Sequence, residues 1–462
     1  MPTPSEYLPV YVAMPLVLAI LLIQMFTLRF YQRHRHPRPE ITRKLLHVGM
    51  GLVVLPFPWL FTSTWPVIVL AAAAIALLLA ARFLPRLRSF HAITAVPRVS
   101  LGDVYFPLSV AILFGMAHQT PLLYGIPLLI LTFADAVAAL IGLTYGRLHY
   151  EATAGEKTAE GSLAFFTVAF LAAHIPLLLL TDTGRAETLL IALILGLVVM
   201  LAEAIAWHGL DNIFIPLFSY FLLGTYLHLS VHDLLLRLLV TVSLLGLVYL
   251  LRHRTTLTPS ALLGSVLFGY ATWALADWVW LLPPLTLFLL HLAFWPRSNR
   301  NNTQHNLNVV IFTAAPGLFW LFLHAHYNLP VLLFPFTTLF AAHLAIVIVS
   351  WLPPADLSMR RIICLGGAIL AGAAISLLPV FALEIAAGLP PSMVATLRQS
   401  LPAFLAANLA GVALAAVLFT WLLPHLVDPL TRQYRYVHHV GGLCAFAGSG
   451  LTLAFLRGNV FM

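Results

Sequence analysis

Long apolar segments alternate with short polar ones along the whole chain. The apolar segments run to roughly 20 residues, the length that an α-helix needs to cross a bilayer. They lack the strict apolar–polar alternation that is typical of the strands of a membrane barrel. The pattern therefore predicts an all-α, polytopic transmembrane protein of about sixteen spans, which begin near residues 8, 45, 65, 101, 121, 160, 187, 211, 234, 258, 276, 309, 329, 361, 400 and 434.

The basic residues give the predicted orientation of these spans. Twenty of the 24 Lys and Arg residues fall in alternate loops, and the exceptions are Arg185, Arg237, Arg398 and Arg457. Because cytoplasmic loops are enriched in Lys and Arg, the rich side is predicted to be cytoplasmic and both termini to lie outside. This distribution also explains the formal net charge of +8 without a nucleic-acid partner.

Composition excludes a soluble protein. Hydrophobic residues make up 61% of the 462 residues and charged residues 9%, against about 25% charged residues in soluble domains. The two cysteines, Cys364 and Cys444, both lie in apolar segments, where they predict neither a disulfide framework nor a metal site.

Acidic residues are concentrated in the first half of the chain. Residues 1–254 hold twelve of the 16 Asp and Glu, and the segment 252–258 is polar. We therefore expect a catalytic membrane domain over residues 1–254 and a second transmembrane helical domain, non-catalytic or degenerate, over residues 255–462.

The fifth predicted span contains an acidic residue, Asp135, at membrane depth. An ionisable side chain there is costly and indicates a functional site. Small residues recur every four positions around it and would let another helix approach closely on one face. They are Ala134, Ala138, Gly142 and Gly146. Such a series alone is also typical of ordinary helix packing.

Two other segments carry groups suited to phosphate. Arg43, Lys44 and His47 enter the second predicted span together, although a positive-inside flank would look the same. The polar loop GEKTAEGS places Lys157 and Thr158 beside Glu160, but it is not a Walker A sequence and could be an ordinary solvated loop.

A fourth segment carries groups suited to a hard cation. Glu203 lies inside the seventh apolar segment, and Asp211 with Asn212 precedes the next one. Carboxylate and amide oxygens are the ligands that Mg²⁺ prefers, although an Asp-Asn pair can also cap a helix. All four segments open toward the predicted cytoplasmic side, so we expect one site, half within the membrane.

These segments resemble the polyprenol kinase family, which includes dolichol kinase, phytol kinase, farnesol kinase and CTP-dependent diacylglycerol kinase. The similarity lies in RKLLHVG at 43–49, FADAVAALIGLTYGR at 133–147, KTAEGS at 157–162 and EAIAWHGLDNIFIP at 203–216. A cytidylyltransferase signature near the C-terminus is absent from the sequence.

The resemblance implies phosphorylation of a membrane lipid alcohol by CTP, or less often another nucleotide, with Mg²⁺ or another divalent cation. It implies catalytic roles for Asp135, Lys157 and Glu160. We expect Arg43, Lys44, His47, Lys157 and Thr158 to bind the nucleotide phosphates, and Asp211, Asn212 and Glu203 to bind the metal. Phytol, farnesol, polyprenols and diacylglycerol are all possible acceptors, and the expected location is a bacterial inner membrane with the site facing the cytoplasm.

The second half is similar to the membrane family that contains phytyl-phosphate kinase, over LTPSALLGSVLFGY at 257–270 and RNNTQHNLNVVIFTAAPG at 300–317. That family's acidic motif is not evident, and His343 stands where an acidic residue is expected. His324, His326, His438 and His439 have no neighbouring carboxylate or cysteine in the sequence, so no metal site is predicted there.

Two other functions fit part of the pattern. A transporter of a lipid or small solute could use Asp135 and Glu203 as ion or proton sites. Against it, the two halves share no matched motifs, as an inverted-repeat carrier often would. The third alternative is a lipid-binding scaffold with an inactive kinase half.

Overall fold

The computed structural model describes residues 8–83, 101–152, 155–206, 209–298, 305–350, 366–367, 369–372, 391–426 and 437–460. Within them the protein is an all-α membrane protein with one small hairpin. Nine described helices are long and apolar enough to cross a membrane, and four shorter apolar helices accompany them. The sixteen spans and the outside location of both termini stay predictions. Cys364 and the basic residues Arg86, Arg88, Arg98, Arg300, Arg360, Arg361, Arg432 and Arg435 lie outside the described residues.

The chain divides into two compact units, Met1–Ser243 and Leu244–Met462. Unit 1 contains α1 (Val10–Arg35), α2 (Pro39–Val54), α3 (Phe57–Leu60), α4 (Trp65–Phe83), α5 (Gly102–Ala117), α6 (Pro121–Leu129), α7 (Asp135–Tyr145), α8 (Ala159–Leu180), α9 (Arg185–Ile205) and α10 (Asp211–Tyr226). Helix α11 (Val231–Leu251) contains the division between the units. The predicted roles of 1–254 and 255–462 stay predictions.

Unit 1 is built around α9, whose side chains are buried along most of its length. Helices α8 and α10 pack against α9, and α7 packs against α8. A π-helical turn, Ile130–Ala134, joins α6 to α7, so the chain continues from Pro121 to Tyr145 as one interrupted helix. Asp135 is the first residue after that turn.

The polar loop predicted after the fifth span is an antiparallel hairpin. Strand β1 (His149–Ala152) pairs with β2 (Gly155–Thr158), with Tyr150 opposite Lys157 and Glu151 opposite Glu156. Helix α8 starts directly after β2, because the Thr158 hydroxyl accepts a hydrogen bond from the Gly161 N–H. The hairpin therefore holds Lys157 just before the start of α8.

Unit 2 contains the helices α12 (Pro259–Leu275), α13 (Trp278–Ser298), α14 (Leu307–Tyr327), α15 (Leu333–Ser350), α16 (Pro391–Leu422) and α17 (Val437–Val460). Short 3₁₀ segments lie at Arg252–Arg254, Pro330–Leu332 and Leu423–Leu426. Helix α15 is buried almost throughout, and α14, α16 and α17 pack against it. Thr258 caps α12 and Asn306 caps α14, as expected for polar residues at helix starts.

Candidate active site

A buried ion pair joins the second helix of unit 1 to the helix that begins after the π turn. Lys44 Nζ lies 2.6 Å from Asp135 Oδ2, and the two side chains are 4% and 9% exposed. Each charge alone would be costly to bury, so the two compensate each other. Asp135, which the sequence predicts at membrane depth, is therefore paired with Lys44 in the structure.

His47 lies beside this pair, one turn after Lys44. Its Nε2 is 3.0 Å from the Leu131 carbonyl oxygen and 3.6 Å from Asp135 Oδ2. Because a carbonyl only accepts, Nε2 carries a proton and donates to Leu131. Leu131 belongs to the π turn, a local irregularity that is frequent at functional sites.

A second ion pair joins the hairpin to the end of α9. Lys157 Nζ lies 2.7 Å from Glu203 Oε1, and it also donates to the Glu203 backbone carbonyl. Burial opposes the charged form of Lys157, but the charge and hydrogen bond of Glu203 outweigh it and raise the lysine pKa. Lys157 is therefore a fixed cation at neutral pH.

Asp211 lies close enough to Arg43 and Lys157 for its charge to affect the pKa of each. Burial lowers the pKa of Arg43, but the hydrogen bond from Arg43 to Glu40 and the neighbouring carboxylates, Asp211 among them, raise it overall. Asp211 also contributes to the raised pKa of Lys157, after Glu203 and Tyr150. Residues from α2, the hairpin and the start of α10 therefore share one electrostatic neighbourhood, and their role as one functional site stays a prediction.

Asn212 carries an unused acceptor within this neighbourhood. Its backbone N–H and Nδ2 donate to Asp211 Oδ1 at 3.1 and 3.3 Å. Its Oδ1 is buried and has no hydrogen-bond partner among the described residues. An orphaned amide oxygen beside a carboxylate fits a hard cation. The described residues hold no cluster of three His, Cys, Asp or Glu side chains that could bind a metal alone.

Arg43 is half-exposed at the edge of the site and is held by its own helix. Its Nη2 and Nε lie 2.5 and 3.1 Å from the two carboxylate oxygens of Glu40. Burial of Glu40 favours its neutral form, but the hydrogen bond and charge of Arg43 outweigh this and lower the Glu40 pKa. Sequence reasoning missed Glu40, although its spacing three residues before Arg43 was a usable signal.

The structure gives several predicted site residues different immediate partners. Lys44 was predicted to bind phosphate, but its ammonium group is closed against Asp135. Glu203 was predicted as a metal ligand, but one of its oxygens is engaged by Lys157, so the metal part of the prediction rests on Asp211 and Asn212. The sequence analysis did not predict either ion pair, and the phosphate and metal assignments of Lys44 and Glu203 stay predictions.

Thr158 and Glu160 have structural contacts. Thr158 is the N-cap of α8, and both carboxylate oxygens of Glu160 accept from the Leu148 N–H, at 3.2 and 3.3 Å. These contacts fasten the hairpin to α8. A catalytic role for Glu160 stays a prediction.

The small-residue series packs where the hairpin meets α8. A Cβ added to Gly142 would lie 2.9 Å from Thr158 Oγ1, and one added to Gly161 would lie 3.0 Å from the Ala138 carbonyl oxygen. Gly146 also abuts Thr158, and Ala134 is fully buried. The close approach positions Lys157 relative to α7.

One curated relative supports the resemblance noted in the sequence. A phytol kinase from Synechocystis sp. is 29% identical over 230 residues, which make up 48% of this chain and 96% of that protein. No family model matches the chain. No solved structure matches it either. The similarity to the phytol kinase confirms that the chain resembles the polyprenol kinase family.

Proposed function

We propose that this protein, whose sequence resembles the polyprenol kinases, transfers a phosphoryl group to the hydroxyl of a membrane lipid alcohol. The observation that carries the proposal is the buried pair of Lys44 and Asp135, with the Lys157–Glu203 pair in the same electrostatic neighbourhood. The first places a carboxylate among apolar helices, where a lipid tail can lie. The second places fixed positive charge at the polar edge, where phosphates can lie.

Asp135 is the group that we assign to the lipid hydroxyl. Its contacts with Lys44 and His47 both involve Oδ2, so Oδ1 is the oxygen we assign to the alcohol. Asp135 would accept the hydroxyl proton while the alcohol oxygen bonds to the γ-phosphorus and the bond to the bridging oxygen breaks. Lys44 and His47 act as positioning residues that fix the carboxylate. General-base assistance of this kind contributes about 10²–10⁴-fold to a rate.

Lys157 and Arg43 are the groups that we assign to the nucleotide phosphates. Phosphoryl transfer depends mostly on positioning and charge neutralisation, which a fixed lysine and a half-exposed arginine can provide. Asp211 and Asn212 would hold Mg²⁺, and the cation would neutralise phosphate charge. Magnesium usually takes only one or two protein carboxylates and completes its ligands from phosphates and water, which fits this small donor set.

We further propose CTP as the donor and an isoprenoid alcohol such as phytol, farnesol or a longer polyprenol as the acceptor, with diacylglycerol as the other candidate. The acceptor class follows from the apolar helices around Asp135, and the donor follows from the family resemblance. The proposed location is a bacterial inner membrane with the nucleotide side facing the cytoplasm.

Purified protein with labelled CTP, Mg²⁺ and a panel of lipid alcohols tests the proposal. We expect a phosphorylated lipid and CDP in equal amounts, and turnover at least about 100-fold lower in Asp135→Asn. Asp182→Asn, the same change at an exposed loop residue, serves as the matched control and should keep full turnover. Folded protein that makes no product with any acceptor or nucleotide would contradict the proposal and favour the transporter or the inactive scaffold.

A further inference from the structure

Unit 2 contains a large apolar cavity that the proposed reaction does not use. Its volume is about 710 Å³, within the range of small-molecule sites, and residues of α11 to α15 form most of its lining, together with Leu257 and Ala371. Aliphatic and aromatic side chains such as Phe268, Leu285, Val310 and Phe340 form most of the wall. No charged residue is among the described residues that line it. The wall therefore suits a long hydrocarbon chain and disfavours a charged group.

His343 is one of the residues that line this cavity, and its ring carries one polar atom without a partner among the described residues. The side chain is buried, and Nδ1 lies 2.9 Å from the Leu339 carbonyl oxygen one turn earlier. Because that carbonyl can only accept, Nδ1 carries the ring proton in the neutral imidazole. Nε2 is then an acceptor, and it is buried without a hydrogen-bond partner among the described residues. A buried acceptor without a donor costs free energy, which a ligand donor would recover.

Two hydroxyl groups in the same wall are also acceptors. Ser265 Oγ donates its proton to the Ala261 carbonyl at 2.9 Å, and Thr313 Oγ1 donates to the Val309 carbonyl at 2.8 Å. Each hydroxyl proton is used within its own helix, so the oxygen that remains can accept a bond but not offer one. The three polar atoms on His343, Ser265 and Thr313 can therefore each accept a hydrogen bond from a ligand donor, and Thr286 and His291 are the other polar side chains that line the cavity.

These acceptors lie at a similar depth. Ser265 and Thr313 follow the starts of α12 and α14, and His343 precedes the end of α15, by about six or seven residues each. At 1.5 Å per residue this is roughly 10 Å from the helix ends. The starts of α12 and α14 are on the same side, because the Thr258 N–H donates to the His305 carbonyl at 2.9 Å. The cavity thus has a polar level near one end and an apolar interior.

We propose that this cavity binds a neutral lipid alcohol, whose hydroxyl donates to His343 Nε2 while its chain fills the apolar interior. The described residues that line the cavity all belong to unit 2, and the inference does not depend on the proposed kinase activity. A phosphate head group is disfavoured, because no Lys or Arg is among the described residues of the wall and the polar atoms of His343, Ser265 and Thr313 are acceptors. The inference about the cavity in unit 2 uses no observation from the acidic site of unit 1.

Photoaffinity labelling of the full-length protein tests the site. The probe is geranylgeraniol that carries a diazirine and an alkyne on its chain, and labelled peptides are assigned to residues by mass spectrometry. We expect labelled peptides from α12 to α15, apart from any in unit 1. Unlabelled geranylgeraniol should compete about tenfold better than its methyl ether, which cannot donate a hydrogen bond. Its phosphate monoester should compete no better than the ether.

Matched variants separate recognition from a loss of folding. His343→Ala should bring the alcohol and the ether to equal potency in unit 2, while His326→Ala, an exposed histidine of α14, should keep the tenfold preference. Ala314→Phe, which fills the cavity, should abolish labelling there, whereas Ala325→Phe on an exposed face of the same helix should not. Melting temperatures and labelling in unit 1 show whether each variant is folded.

Three results would overturn the inference. They are no labelling of α12 to α15 in folded protein, equal competition by alcohol and ether in the unmodified protein, and competition by the phosphate monoester that exceeds that of the alcohol. The first would mean that no lipid enters the cavity, the second that it takes any apolar chain, and the third that its head group is charged.

Discussion

Lys44 and Asp135 place opposite charges inside a helical unit, where either charge alone would be strongly unfavourable. A hydrophobic pair of similar volume would often be equally stable there. Stability alone therefore does not explain why the chain carries this pair. Its position beside His47 and near Arg43 fits the proposed role of Asp135 at the lipid hydroxyl.

A double-mutant cycle measures this pair directly. We expect Lys44→Met and Asp135→Leu each to lower the free energy of unfolding by about 3–5 kcal/mol, because each leaves one buried charge without its partner. The double variant should recover at least half of the summed loss, since no charge is left. Thermal unfolding in detergent gives the stabilities, and losses that simply add would show that the two groups do not interact. The double variant should be stable yet inactive.

Lys157 should act as a permanent cation and not as a proton carrier. Its pKa is raised, so any stability from its charge is fully present below its ordinary pKa of 10.5 and is lost only as the pH rises through the higher folded value. We expect Lys157→Met to raise the KM for nucleotide at least about tenfold, to the same extent at every pH from about 7 to 10. Lys157→Arg, which keeps the positive charge, should raise this KM less than Lys157→Met does. A loss that appears only at alkaline pH would contradict the assignment.

The charged residues of the candidate site stand out in the sequence, but the pairs that they form do not. Asp135, Lys44 and Glu203 stand out because charges are rare in apolar segments. Lys44 lies 91 residues from Asp135 and Lys157 lies 46 residues from Glu203, and no periodic pattern links such distant positions. His343 was noted only as standing where an acidic residue is expected, because whether a ring nitrogen has a partner depends on the surrounding helices.

At the scale of elements, the site depends on how α7, the hairpin and the start of α8 meet. Gly142 and Gly161 let backbone approach backbone, and Thr158 lies between them as the cap of α8. Lys157 precedes Thr158 directly, so its position follows from this contact. The close packing of the small residues therefore determines where Lys157 lies at the polar edge of the site.

Gly142→Leu tests whether this contact positions the site. Its Cβ would lie 2.9 Å from Thr158 Oγ1, so the larger side chain must displace the cap and Lys157 with it. We expect a loss of about 1–3 kcal/mol in stability and a clear fall in turnover. Gly115→Leu on α5 is the control, because a Cβ there meets nothing within 4 Å. Equal effects of the two changes on turnover would show that the contact does not matter.

Two equivalent helix caps separate a structural from a functional effect. Thr158 caps α8 in unit 1, and Thr258 caps α12 in unit 2. Replacing either by Ala should cost about 1 kcal/mol, because each removes an acceptor for a helix N–H. Only Thr158→Ala should lower kinase turnover, since only that cap lies beside Lys157. Unfolding curves and turnover of both variants decide this, and a similar fall in turnover for Thr258→Ala would contradict it.

The helical elements were more predictable than the irregular ones. Apolar length and flanking polar residues indicate a membrane helix, and most of the described helices lie where the spans were predicted to begin. The hairpin of β1 and β2 was missed because its strands have four residues each and no apolar alternation. The π turn was missed because its sequence, Ile130–Ala134, reads as ordinary apolar helix.

At the scale of the whole molecule, the two units differ in the chemistry they can hold. Unit 1 brings its buried acids and bases together, whereas the cavity of unit 2 has an uncharged wall among the described residues. The two proposals therefore differ in the chemistry they invoke, with a charged site for a lipid alcohol and a nucleotide in unit 1 and an uncharged site for a lipid alcohol in unit 2.

The orientation of the molecule decides whether the proposed site can reach a soluble nucleotide. Helix α8 separates the hairpin, with exposed Glu156, from the exposed loop residue Asp182, so the two must lie on opposite sides of the membrane if α8 spans it. The basic loops predict that Glu156 is cytoplasmic. In a variant without Cys364 and Cys444, Glu156→Cys should react with a membrane-impermeant maleimide only in inside-out vesicles. Asp182→Cys should react only in right-side-out vesicles. The reverse pattern would place Lys157 and Asp211 on the outer side, where no CTP is available, and would rule out the proposed donor while leaving the site itself intact.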